Sequence, residues 1–137
     1  VGLSNLKNIA KASLIYEQGL KIKKTIDTSM KESGEIYYRN FLTNDNTIAK
    51  EKVMKLNNFN DKNPFGYEWH WEGETPLTGG GIYSDKLIIK TNVPKDLCET
   101  IKDRFLTRSS TAVCGSATGE NKNVSQFLEV RITFDGE

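Results

Sequence analysis

Histidine occurs once, cysteine twice and proline three times in these 137 residues, and neither sign of charge dominates. Each scarcity excludes something. With His70 alone, flanked on its strand face by Glu68 and Glu72, there is no nucleophile at motif spacing and hence no catalytic triad. Neither Cys98 nor Cys114 has a second cysteine or a histidine at metal-ligand spacing, which argues against zinc. Nineteen basic residues against eighteen acidic ones leave a net charge of +1, no field for capturing nucleic acid or an anionic membrane. The Lys21, Lys23, Lys24 cluster accordingly reads as a solvated helix face. No apolar run in these residues approaches the ~18 of a membrane-spanning helix, and none of them reads as a signal peptide. Gly79-Gly80-Gly81 lacks the lysine and helix start of a phosphate cradle. The Asn/Asp clusters near 44–46 and 58–61 fit turns, without the spacing of a calcium loop. No catalytic, cofactor-binding or metal-ligating residue is nominated, and the enzyme reading is the poorest.

What is present begins with a helix. From Leu3 to about Met30 apolar residues recur at helical spacing, including Leu3, Leu6, Ile9, Leu14, Leu20, Ile22 and Ile26. No proline interrupts them, Gly19 is the one weak point, and Gly34 suits a left-handed cap. A helix of ~28 residues would be ~42 Å long, more than a domain of this size is wide. Together with the Val-Gly start, that length reads as the cut end of a longer helix, a subunit that anchors or polymerises through its N-terminus. The segment 35–42 fits either a last helical turn or a packed extended stretch, and a short helix is expected over Ile48–Leu56.

The second half alternates. Tyr67, Trp69 and Trp71 share one face of a strand over 67–72, and a second strand runs over 86–91. Pro94 suits the first turn of a helix over 95–105, and a last strand covers 126–134. Gly73–Gly81 and Thr107–Asn123 read as loops. Trp69 and Trp71 are candidates for surface recognition of a sugar or base, with sheet packing as the competing reading. Helix followed by strands predicts an α+β fold: a long N-terminal amphipathic helix packed on an antiparallel sheet. The two cysteines admit one disulfide in an oxidising compartment or two reduced thiols in a cytosolic core.

Four features in one order resemble a type IV pilin, and within that family the type IVb branch. They are the N-terminal amphipathic helix, the turn Lys62-Asn63-Pro64-Phe65-Gly66 leading into a strand, the strand and helix start Leu87-Ile88-Ile89-Lys90-Thr91-Asn92-Val93-Pro94-Lys95-Asp96-Leu97-Cys98, and Cys114 followed by a polar loop and a final strand. The short Cys98–Cys114 interval departs from subunits that enclose a longer segment, which leaves major subunit, minor subunit and pseudopilin open.

The resemblance implies a single domain over 1–137, with helix about 3–32, an αβ-loop region about 35–63, and a sheet with a disulfide-bounded C-terminal region about 66–137. It implies a Cys98–Cys114 bridge and a helix packing and assembly face comprising Leu3, Leu6, Ile9, Leu14, Leu20 and Ile26, packed partly on its own sheet and partly on neighbouring subunits. It further implies a membrane-anchored precursor held in the bacterial inner membrane by a segment ahead of Val1, then an extracellular pilus used for adhesion, self-association or DNA transfer. Partners would be further copies or related subunits in a helical filament, with a host or cell-surface receptor possible. No cofactor is implied. The alternatives are a type II secretion pseudopilin and a soluble adhesive or glycan-binding module.

Overall fold

A computed structural model of the chain describes residues 3–39, 41–42, 62–74, 77–78, 82–83, 85–117 and 126–135. Helix α1 spans Leu3–Ser33 and ends in a Schellman motif: Gly34 takes φ 79°, its N–H reaches the Lys31 carbonyl at 3.3 Å, and Glu35 N–H reaches Met30 at 3.1 Å. Residues 38–39 and 41–42 are helical again, so the open choice over 35–42 resolves into an extended link followed by helical turn. The expected Ile48–Leu56 helix lies outside the described residues.

Among the described residues six strands follow: β1 (His70–Glu74), β2 (Leu77–Thr78), β3 (Ile82–Tyr83), β4 (Lys86–Pro94), β5 (Thr111–Ser116) and β6 (Phe127–Asp135), with helix α2 (Lys95–Phe105) between β4 and β5. The main sheet is antiparallel in the order β1-β4-β6-β5, and β2 pairs with β3 in a separate two-stranded ladder. Two expected loops are therefore corrected. Gly73 and Glu74 continue β1, and Leu77–Thr78 and Ile82–Tyr83 pair as strands. Thr107–Asn123 contains β5, which carries Cys114. Pro94 is the N-cap of α2, one residue before the expected first turn, with φ −56° and ψ 138°.

The register sets the faces. Trp71, Ile89, Ile132 and Ala112 form one cross-strand row, and Leu87 with Phe134 forms the next. All six are buried and belong to the core cluster that α1 and α2 cover. From α2 the core receives Cys98, Ile101 and Phe105 at 3–4 spacing, the inward face of an amphipathic helix. The opposite face of the sheet presents His70, Glu72, Arg131 and Asp135 to solvent.

Candidate assembly surface

The buried seam of α1 is Ala12, Ile15, Gly19, Ile22, Ile26 and Met30, separated by alternating steps of three and four until the last. Such steps keep one face of a 3.6-residue helix in line. The members of the expected packing and assembly face occupy different helical phases, so some meet the fold and others point away from it. Ile26 is fully buried in the core and Leu20 packs partly against it. Ile9 and Leu14, by contrast, are 52% and 47% exposed. The side chains of Leu3 and Leu6 lie outside the described residues. Ile15, missed in the sequence, was detectable from the 12-15-19-22-26 spacing once Gly19 is counted as a core position.

Gly19 is a site of close approach instead of a weak point. A Cβ there would stand 2.6 Å from Cζ of Phe105 and 3.4 Å from the Trp69 ring. Around this gap Tyr16 packs against Phe105 with ring centroids 5.1 Å apart, and Arg104 stacks over Tyr16 while donating to Ser13 Oγ at 2.8 Å. Among the described side chains of α1 the first buried one is Ala12, and residues 7–11 are outside the core.

Trp69 and Trp71 are not a recognition surface. They are 1% and 8% exposed, facing inward because β1 pairs with the central strand β4 and turns its odd-numbered residues toward the helices. Trp69 Nε1 donates to Gln18 Oε1 at 2.9 Å, tying β1 to α1. Trp71 Nε1 and Ser29 Oγ are buried without a partner.

Asn63 anchors the turn ahead of β1. Its Nδ2 donates to Thr91 Oγ1 and to the Asn92 carbonyl, each at 2.8 Å, and its Oδ1 accepts from Phe65 N–H and Tyr67 N–H. The backbone closes the turn, with Asn63 N–H to the Tyr67 carbonyl at 2.7 Å and Gly66 N–H to the Asn63 carbonyl at 2.9 Å. Gly66 has φ 89°, a left-handed conformation that a Cβ opposes.

Cys98 and Cys114 form a disulfide with a Cα–Cα distance of 6.2 Å, joining the buried face of α2 to the edge strand β5. The connection is bound to the body: Ser109 Oγ donates to the Phe105 carbonyl and Ser110 Oγ to the Thr133 carbonyl. These two hydroxyls thus hold backbone. Val113, on the outer side of β5, is 53% exposed.

A cleft of about 230 Å³ opens where α1 ends, lined by Met30, Ile36 and Tyr38, by the carboxylates of Asp27, Glu35, Asp85 and Asp135, and by Lys23 and Lys31. Asp27 is occupied: Lys23 Nζ lies 2.6 Å from it and the Tyr38 hydroxyl donates to it. Asp85 accepts the Tyr38 N–H at 2.9 Å. Burial pushes the Asp85 carboxyl above its ordinary range, the Asp27 charge adds to that, and the Tyr38 N–H opposes it. Among the described residues no three His, Cys, Asp or Glu side chains converge as metal ligands. His70 is exposed opposite Lys90 in the ladder, while Glu72 reaches Lys90 at 3.6 Å.

No family model, curated protein or solved structure matches this chain. No described helix is long and apolar enough to cross a membrane.

Proposed function

We propose that the chain is a structural subunit of a type IVb pilus, polymerising through its N-terminal helix into a bacterial surface filament. The observation that carries this reading is the division of α1. Among its described side chains the buried seam begins at Ala12, while the apolar Ile9 and Leu14 are exposed and open to contacts outside the fold. The order of parts supports the same reading: long helix, Asn63 turn, antiparallel sheet, and a helix after Asn92-Val93-Pro94 bridged by disulfide to a later strand. In this role the domain performs no catalysis. Repeated contacts between unlike patches, which do not close on themselves, propagate into a filament. The subunit waits in the inner membrane, held by an apolar segment encoded ahead of Val1, and then joins an extracellular fibre serving adhesion, self-association or DNA transfer.

The test is immunogold labelling of source cells with antibodies against this domain, beside a deletion of its gene. Labelling along surface fibres that vanish on deletion supports the pilus. Label confined to the periplasm points to a secretion pseudopilus, and a freely released domain with no fibre removes the assembly reading.

A further inference from the structure

The two central strands meet at an open corner. Pro94 closes β4 and Phe127 opens β6, and they are the last partners in that ladder. Among the described residues neither is paired on its other side, because the β1 ladder stops at Lys90 and the β5 ladder at Leu128. Pro94 is also the N-cap of α2, so the chain leaves the sheet there. Between the helix start and the start of β6 lies a groove of about 650 Å³, lined by Pro94, Lys95, Asp96, Gln126 and Phe127. Sites for small molecules span ~300–1,000 Å³.

The lining is part apolar and part polar. Phe127 and Pro94 are each partly exposed, and the Tyr67 ring braces Phe127 with centroids 4.7 Å apart and planes at 55°. A braced ring and a proline ring present their apolar surface already ordered, which lowers the entropy lost on binding. Lys95, Asp96 and Gln126 are exposed, and among the described residues their side chains have no hydrogen-bond or ion-pair partner. The ammonium supplies donors, the carboxylate acceptors and the amide both, while the two charges cancel.

These properties select among occupants. A phosphate-rich ligand calls for a surplus of positive charge, and here there is none. The apolar face of a helix calls for a continuous apolar lining, and three of the five lining residues are polar. A sugar ring satisfies both conditions. Its C–H face is apolar and lies against an aromatic ring, and each of its hydroxyls donates and accepts.

We propose that this groove binds a neutral sugar residue of a glycan, with its ring against Phe127 and its hydroxyls hydrogen-bonded by Gln126, Asp96 and Lys95. On a surface fibre such a groove makes the receptor a glycan. The inference does not rest on the filament reading, because the isolated chain carries all five lining residues.

The experiment is titration of the ¹⁵N-labelled chain with lactose, maltose, cellobiose, mannobiose and diacetylchitobiose, read by amide chemical shifts. At least one of these sugars should shift the Lys95, Asp96, Gln126 and Phe127 amides saturably. Asp96→Ala and Gln126→Ala, both at exposed positions, should each weaken its affinity about tenfold. Phe127→Ala should remove the binding and Phe127→Tyr, which keeps a ring, should retain it. Unchanged amide shifts elsewhere in the Asp96→Ala and Gln126→Ala chains separate a lost site from a lost fold. The site is overturned when no sugar of the panel shifts these amides saturably, or when Asp96→Ala and Gln126→Ala bind as the parent does. A proline-rich peptide that shifts the same amides where no sugar does reassigns the groove to extended peptides. The two readings fail separately. Surface fibres that lack the chain remove the filament and leave the titration standing. Fibres built from a chain that binds no sugar remove the groove site and leave the filament.

Discussion

Gly19 of α1 and Phe105 of α2 meet where no side chain fits, since a Cβ on residue 19 would come within 2.6 Å of the buried ring. A mid-helix glycine ordinarily costs ~1 kcal/mol relative to alanine. Here the sign reverses, because overpacking a filled core costs ~1–3 kcal/mol and the Phe105 ring that would have to yield is fully buried. Gly19→Ala should therefore lower the urea midpoint, and Gly19→Val should lower it further. A stabilised Gly19→Ala would show that the two helices separate easily.

Leu14 and Ile15 are neighbours with opposite environments, 47% and 0% exposed. Ile15→Ala should cost ~2–5 kcal/mol through the cavity it leaves, while Leu14→Ala should fall within about ±0.5 kcal/mol. Equal effects in chemical denaturation would contradict the rotation of α1 about its axis described above.

Asn63 uses both side-chain donors and both acceptor directions inside the protein, at 4% exposure. Asn63→Ala strands several buried partners at ~1–3 kcal/mol each, partly relieved by relaxation. A total loss of roughly 2–4 kcal/mol is expected. Asn63→Asp replaces a donor with a carboxylate oxygen facing the Asn92 carbonyl, and it should lose most stability above the carboxyl titration and recover part of it in acid.

Asp85 gives stability a pH dependence whose sign is fixed by burial. Its folded-state carboxyl titrates above the ordinary range, so the ionised form is disfavoured in the fold. Below that ordinary range the group is protonated folded or unfolded and adds nothing. As pH rises through the raised value the fold takes on the full cost of the buried charge. Asp85→Asn retains an acceptor for Tyr38 N–H and should be more stable than the parent at neutral pH, an advantage that vanishes in acid. Urea unfolding of both proteins across pH measures it, and a parallel offset at every pH would refute it.

The Cys98–Cys114 bridge has a sequence separation of 16. A loop near that size stabilises by ~3 kcal/mol in the chain-entropy account. Cys98→Ala with Cys114→Ala should lose about that much. Alkylation of unreduced protein should show no free thiol by mass spectrometry.

How far the sequence foretold these features depended on whether local chemistry was decisive. Helix α2 was predicted at its observed bounds because Pro94 fixes the chain ahead of an amphipathic run, and the end of α1 because Gly34 alone there readily takes positive φ. Strands β4 and β6 showed themselves through Leu87, Ile89, Val130, Ile132 and Phe134. Strand β5 stayed hidden because Thr-Ala-Val-Cys-Gly-Ser points its one branched apolar residue, Val113, outward, and its register comes from pairing with β6. The tryptophans alternated visibly, but which side of β1 meets the helices is decided by tertiary packing. The face of α1 was misread for a related reason: Ile9 and Leu14 are as apolar as the seam, while Thr25 and Ser29 are buried among it. The cleft at the end of α1 was beyond reach, since Asp85, Asp135 and Glu35 approach one another only through the fold.

The seam of α1 also has a consequence for synthesis. Most of the core that covers it is spread across residues 65–134, so the helix emerges from the ribosome roughly a hundred residues before β6 is complete. At ~5–20 residues per second that is a wait of ~5–20 s with Ile15, Ile22, Ile26 and Met30 uncovered. The newborn chain thus spends its most aggregation-prone interval with its longest element finished and nothing to lay it against, and whatever shields that stripe during those seconds governs how much of the protein survives to fold.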